Sequence, residues 1–367
     1  MYIKKVSFEN YRNLQPTTLY PAEGINVIYG DNAQGKTNLL EGLWLFTGGR
    51  SFRGSKNSEL IAFHQPYARL EVFFYANERE QTIRLTINSN KRTAVLNDVP
   101  QSYMAQIIGH FCAVVFSPYH LSLIKSGPEE RRSFVDAAIC QIKPSYTIRL
   151  SRYKQMLNER NALLKDIPQH RELEKMLSVW NEQLAAEGAV IAAERSQYIR
   201  QLSESAAHFY DGMSGGRELL EMFYKTSSAD ADNEDIDIEE RQYRLLTALK
   251  QRQNEDMACG YTTAGIHRDD LVIKINGKEA RSFGSQGQQR SAVLSMKLAE
   301  AALLGRAKGE NPVILLDDVL SELDPNRQQY LLTKLEGFQV FITCCEKEIE
   351  AVHQVHICEG RVEAEEE

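Results

Sequence analysis

The segment Gly30-Asp31-Asn32-Ala33-Gln34-Gly35-Lys36-Thr37-Asn38 follows an apolar stretch, residues 25–29, and leads into Leu39, Leu40, Leu43 and Trp44 at helical spacing. Two glycines enclosing a four-residue spacer, followed by Lys-Thr, suit a phosphate loop. The glycines let backbone N–H groups wrap a polyphosphate, and the helix start adds partial positive charge. Lys36 would reach the terminal phosphates, making it a catalytic as well as a binding residue, and the Thr37 hydroxyl would ligate Mg²⁺. A second element, Val313-Ile314-Leu315-Leu316-Asp317-Asp318, ends a buried-strand pattern in two carboxylates. Asp317 is placed to hold Mg²⁺ through water, and Asp318 to orient or deprotonate an attacking water. The same pair would also serve as an ordinary cap for a following helix. A third element, Ser285-Gln286-Gly287-Gln288-Gln289, precedes a long helical pattern and offers a hydroxyl, backbone donors and a helix dipole to an anion. Taken alone it reads more readily as a flexible turn with a helix cap.

Strands and helices must carry these groups to one place. Alternating or continuous apolar patterns predict strands at 3–8, 25–29, 68–75, 82–87 and 92–96, with one helix starting at the phosphate loop. From about 144 to 258 the period becomes helical, through Leu150, Tyr153, Leu157, Leu164, Leu173, Leu177, Trp180, Leu184, Ile191, Ile199, Leu202 and Phe209. This reads as a helical insertion, broken at 211–216 and by the acidic run 228–240, which is expected to be a mobile surface loop. After Gly260 the α/β pattern resumes, with strands at 271–275, 313–316 and 340–343 and a helix at 289–306.

Composition narrows the class. The 367 residues, 43% hydrophobic and 25% charged, suit a folded chain of one large domain with an insertion, or of two domains. No apolar run approaches membrane-spanning length, and Met1-Tyr2-Ile3-Lys4-Lys5 leads into a strand pattern rather than the core of a signal peptide. The expectation is a cytoplasmic protein without a membrane partner. Six cysteines in no metal-ligand spacing, most of them inside apolar runs, read as buried free thiols, which fits a reducing compartment. The net charge of −7 confines any nucleic-acid contact to a local basic face.

The order of motifs, from phosphate loop through helical insertion and Ser-x-Gly-Gln to the acidic strand and Ser321-Glu322-Leu323-Asp324, is that of ABC ATPases. Further stretches are Phe8-Glu9-Asn10-Tyr11-Arg12-Asn13-Leu14, Ser51-Phe52-Arg53, Gly127-Pro128-Glu129-Glu130-Arg131-Arg132-Ser133-Phe134-Val135-Asp136 and Gly265-Ile266-His267-Arg268-Asp269-Asp270-Leu271. With these the chain resembles the RecF family of bacterial DNA-repair ATPases over nearly its whole length. The resemblance implies an α/β ABC-type head, a P-loop core plus antiparallel β-subdomain at 1–116 and 260–367, with a helical lobe inserted at 117–259. It implies ATP and Mg²⁺ as cofactors and weak, DNA-stimulated ATP hydrolysis. Ser285, Gln286, Gly287 and Gln288 of one copy would complete the ATP site of a second copy in an ATP-dependent homodimer, with Ser321 and Asp324 as its D-loop. The implied partners are single-stranded and duplex DNA, gapped or junction DNA, RecO, RecR and RecA.

By the same likeness Arg12 and Arg53 are candidate nucleotide contacts, a solvated surface position being the other reading of each. Arg131, Arg132 and Arg268 either touch DNA or pair with Asp136, Asp269 and Asp270. Arg149, Arg152, Lys154, Arg160 and Lys91-Arg92 suit either DNA or a charged solvent face. Pro118-Tyr119-His120-Leu121 and Thr343-Cys344-Cys345-Glu346 depart from the family pattern and imply slow turnover. An SMC-like structural DNA-organising head is the rival reading, but the long heptad arms it needs are missing. A transporter subunit would need a Leu-Ser-Gly-Gly-Gln motif, and a small-molecule kinase would not need Ser285-Gln286-Gly287-Gln288.

Overall fold

The computed structural model describes residues 1–121, 123–228, 236–345 and 353–364. Most of the acidic run, at 229–235, and the last positions of the acidic tail lie outside the described residues, as does Glu346. The chain divides into two compact units, one comprising 1–122, 208–217 and 290–367, the other 123–207 and 218–289. The last boundary falls at 289/290, where the sequence suggested 259/260, and 208–217, which the sequence placed in the inserted lobe, falls in the first unit.

In the first unit the chain runs β1 (Tyr2–Glu9), β2 (Thr17–Leu19), β3 (Ile25–Tyr29), α1 (Lys36–Leu45), β4 (Ala68–Ala76), β5 (Arg79–Ile87), β6 (Arg92–Leu96), β7 (Val99–Gln101), β8 (Ala113–Phe116) and the short α2 (Pro118–Leu121). Six of these strands form one antiparallel sheet in the order β2-β1-β4-β5-β6-β7. Alternate residues of β4 (Ala68, Leu70, Val72, Phe74, Ala76) turn inward, as period-2 patterning requires.

The second unit holds α3 (Pro128–Ile142), α4 (Pro144–Asp166), most of α5 (Leu177–Ser214), β9 (Leu220–Lys225), α6 (Ile238–Gln251), α7 (Gln253–Cys259), β10 (Asp270–Ile275), β11 (Lys278–Glu279) and α8 (Ala280–Phe283). The lobe is therefore not purely helical. β9, inside the segment read as helical, pairs antiparallel with β10 from Leu220↔Ile275 to Lys225↔Asp270. That pairing keeps residues up to 289 in this unit and moves the boundary. α9 (Gln286–Lys308) follows, then β12 (Val313–Asp317), α10 (Pro325–Lys334), β13 (Val340–Cys344), β14 (His353–Cys358) and β15 (Arg361–Ala364).

The sheet that positions the chemistry has the order β15-β14-β3-β13-β12-β8, parallel except for β15 at the edge. Val313 to Leu316 are buried on both faces, which explains their continuous apolar run. Register levels the strand ends, since Asp317 faces Thr343 and Cys344 faces Tyr29. The loops leaving β3, β12 and β13 therefore emerge together at the carboxyl edge, where open α/β sheets bind ligands. α1 is buried along most of its length because it lies between this sheet and β1. The Phe8 ring packs so closely on Gly42 that a Cβ there would meet it at 2.4 Å. Among the described residues no helix is long and apolar enough to cross a membrane.

Candidate nucleotide site

The loop between β3 and α1 turns through backbone conformations that favour glycine. Gly30 has φ +145°, and a Cβ there would lie 2.3 Å from the Ile357 carbonyl oxygen on β14; Gly35, at φ +118°, begins α1. Lys36 is buried and folds back over the loop, donating from Nζ to the carbonyls of Gly30 and, at 2.9 Å, Asp31. Asp31, Asn32 and Ala33 are exposed at the rim. Such a loop, with a lysine held at its mouth, is a cradle for phosphate oxygens.

Thr37 Oγ1 donates to Asp317 Oδ1 at 2.8 Å, joining the phosphate loop to the acidic strand across β13. Thr343 Oγ1, on β13 itself, donates to the same oxygen at 3.1 Å and accepts from the Asp318 N–H at 2.9 Å. Burial raises the Asp317 carboxyl above its ordinary value, while the hydroxyls of Thr37 and Thr343 oppose the rise. A buried carboxylate beside a threonine hydroxyl is a hard-oxygen donor pair that fits Mg²⁺, an ion usually held by one or two carboxylates plus substrate phosphates. Asp318 is exposed with φ +51° and accepts 3.0 Å from Ser321 Oγ, so the two adjacent carboxylates occupy different environments. Asp324 caps α10, accepting from Arg327 N at 3.1 Å and from Arg327 Nη1 at 2.9 Å, and these donors lower its pKa.

Polar side chains around the loop link to one another in a way their separate motifs did not show. Asn13 Nδ2 donates to Ala33 O at 3.3 Å, Asn38 Nδ2 to Asn13 Oδ1 at 2.7 Å, and Arg53 Nη1 to Asn38 Oδ1 at 2.8 Å. The β14–β15 turn braces the loop, with the Glu359 N–H donating to Gln34 Oε1 and the Gly360 N–H to Gln34 O at 3.1 Å. Cys345 Sγ lies 3.3 Å from Asn32 Oδ1 and 4.0 Å from Lys36 Nζ, beside the phosphate loop.

Arg12, a candidate nucleotide contact by sequence, is held by an acidic partner beside the loop. Its guanidinium makes a forked pair with fully buried Glu41, at 3.0 Å from Nε and 2.9 and 2.7 Å from Nη2, and also donates to Ser55 Oγ at 2.7 Å. Glu41 further accepts from Tyr11 OH at 3.3 Å and from Ser51 Oγ, and so ties α1 to the segment carrying Arg53. Ser51 and Arg53 flank Phe52 in a motif whose spacing gave no hint of this buried carboxylate.

In the second unit Ser285 caps α9. Its Oγ accepts from the Gln288 N–H at 3.2 Å while Gln288 Oε1 accepts from the Ser285 N–H at 2.8 Å, a reciprocal capping box. Ser285 and Gln286 remain exposed, and Gln288 Nε2 donates to Glu218 Oε1 at 2.6 Å. Asp136 pairs with Arg195 at 2.9 Å and Tyr146 OH at 2.6 Å, Arg131 with Asp270 at 2.7 and 2.8 Å, and Arg132 donates to Asp269 O at 2.7 Å. Of the pairings the sequence allowed, the Arg-Arg-x-Phe-x-Asp and His-Arg-Asp-Asp segments thus make one ion pair, Arg131–Asp270, while Arg132 reaches a backbone carbonyl and exposed Arg268 donates to Thr262 O at 3.2 Å. Arg160, grouped by sequence with solvent-facing cations, has no exposed surface and pairs with Asp256 at 2.8 Å. Its register on α4 turns it inward with Tyr153 and Leu164.

Residues 2–360 match the RecF/RecN/SMC N-terminal domain family. A curated relative from Ruminiclostridium cellulolyticum, the DNA replication and repair protein RecF, is 40% identical over 95% of this chain and 94% of its own. The protein of that name from Bacillus cytotoxicus is 37% identical over 100% and 99%. The solved recombination mediator protein RecF-ATP in the RecFOR pathway superposes with TM-score 0.93 at 39% identity, covering 100% of this chain and 98% of that one. The Smc head domain of Pyrococcus furiosus, at TM-score 0.55 and 16% identity over 98% of this chain and 95% of that one, shares the fold.

Proposed function

This chain belongs to the RecF family within the wider RecF/RecN/SMC group, and from that premise we propose that it is an ATP-gated DNA-repair ATPase whose two copies close on ATP. One observation supports the reading most: the 2.8 Å bond from Thr37 to Asp317, which joins the phosphate loop to the acidic strand. Lys36 and the loop amides bind the β- and γ-phosphates. Thr37 and Asp317 would hold Mg²⁺, which when bound neutralises charge on the phosphate oxygens. Asp318, exposed and held by Ser321, orients the attacking water and takes its proton. Ser285 and the Gly287 amide complete the site from a second copy, so binding ATP is also an act of assembly, and hydrolysis releases it. The species so formed acts at single-strand/duplex junctions of gapped DNA with RecO and RecR and helps load RecA.

The test measures ATP hydrolysis with and without gapped DNA over a salt series, together with sedimentation with and without ATP. Stimulation that fades as salt rises is expected, because phosphate contacts weaken steeply with ionic strength. Lys36→Ala should lose ATP binding, Asp318→Asn should bind ATP and accumulate dimer, and Ser285→Arg should bind ATP yet stay monomeric. An ATP-independent monomer–dimer balance in the unaltered protein would refute the reading.

A further inference from the structure

The N-terminal end of α9 is bordered by two large apolar side chains that the nucleotide site leaves unused. Phe283, the last residue of α8, is 73% exposed, and Leu219, just before β9, is 55% exposed. Isolated exposed apolar residues are ordinary, but these two are each held by hydrogen bonds next to the same motif. On one side the Gln289 side chain donates to the carbonyls of Ala280 at 2.8 Å and Gly284 at 3.1 Å, and the Gly284 N–H donates to Ala280 O at 3.1 Å, so the turn presenting Phe283 is held. On the other, the Leu219 N–H donates to Asn276 Oδ1 at 2.8 Å, its carbonyl accepts from the Asn276 N–H at 2.9 Å, and neighbouring Glu218 accepts from Gln288. Rigid apolar groups around exposed polar ones are how a binding surface lowers the ordering cost of association.

We propose that Leu219 and Phe283 form an apolar rim around Ser285 to Gln288 that seats against the nucleotide face of a second copy of this chain. The inference rests on the ATP-sandwich reading and adds to it the surface that holds the sandwich shut. Two arguments select a second copy. Backbone reach keeps Phe283 within about 7 Å of Ser285, so any closure that brings Ser285 to the phosphates carries Phe283 into the same junction. Charge agrees at the centre: the positive end of α9 and exposed Arg281 meet a triphosphate flanked by exposed Asp31 and Asp318, with exposed Glu279 beside the rim and exposed Arg53 beside the phosphate loop as a further opposite-charge pair. A rim that excludes water strengthens the polar contacts it surrounds, so it acts as a positioning element for Ser285 rather than as a catalytic one.

The experiment is sedimentation of full-length protein with a slowly hydrolysed ATP analogue, comparing the unaltered chain with Phe283→Ala, Leu219→Ala and the double variant. Fluorescent-nucleotide binding at concentrations too low for dimerisation, and binding of duplex DNA, are measured alongside. The expected result is a dimerisation constant weakened about tenfold or more in Phe283→Ala and further in the double variant, with monomer nucleotide affinity unchanged. Unaltered dimerisation in both single variants overturns the rim while leaving the sandwich intact. Unaltered dimerisation with lost DNA binding also overturns it and assigns the face to nucleic acid. Absence of ATP-dependent dimer in the unaltered protein removes the parent reading and the rim together.

Discussion

Replacing Arg12 by alanine separates a structural arginine from a nucleotide contact. In the structure its guanidinium is only 14% exposed and faces Glu41, whose side chain is fully buried. Truncation leaves that carboxylate with only Tyr11 OH and Ser51 Oγ as donors. Breaking a buried pair from one side costs about 3–5 kcal/mol, because an uncompensated charge remains. The expected destabilisation of Arg12→Ala is therefore about 3–5 kcal/mol. Adding Glu41→Gln removes the charge and should restore more than half of the loss. Urea denaturation of the single and double variants measures each number. In the double variant, nucleotide affinity should stand within a few-fold of the unaltered protein. A cost below about 1 kcal/mol, no rescue by Glu41→Gln, or a rescued fold that cannot bind ATP would each defeat the argument and return Arg12 to the nucleotide.

Three further outcomes follow from the environments of single groups. Asp317 has its folded pKa raised by burial, so its stabilising contribution is present below the unfolded value and lost as pH rises through the folded one. Asp317→Asn should therefore melt above the unaltered protein at neutral pH, with the gap closing in acid, while ATP hydrolysis disappears; calorimetry at pH 7 and pH 4 with an activity assay checks both. His267 is pushed down to about 4 by burial and bonds Tyr153 OH and Thr262 O, so the stability it contributes is complete above about pH 6.5 and lost as pH falls toward 4. That contribution is about 3 kcal/mol, and His267→Gln should flatten the stability profile in this window, as chemical denaturation at several pH values would show. Cys345, exposed and 4.0 Å from Lys36 Nζ, should be alkylated by maleimide several-fold more slowly when ATP is bound, with alkylation in turn blocking ATP binding; peptide mapping by mass spectrometry reads the site directly.

Local sequence determined the parts whose chemistry is also local. The Gly-x4-Gly-Lys-Thr loop, the four-residue apolar strand ending at Asp317, and Ser285 before a long helix are all readable, because spacing, apolar period and capping act within a few residues. Their order along the chain, with the flanking segments, carried the family. Pairings distant in sequence were decided only by the tertiary structure. Strand register set Asp317 beside Thr343 and put Thr37 against Asp317, a separation no window of sequence can cover. The same holds for the turn at Gly360 that braces the phosphate loop and for β9, whose partner lies far downstream. Arginines show the difference most clearly. Arg12, Arg53 and Arg160 are all plausible surface cations by composition, yet one is clamped on a buried glutamate, one stands exposed beside Asn38, and one lies fully inside the lobe against Asp256. A guanidinium carries the same charge in each place; burial and the nearest carboxylate decide what it does.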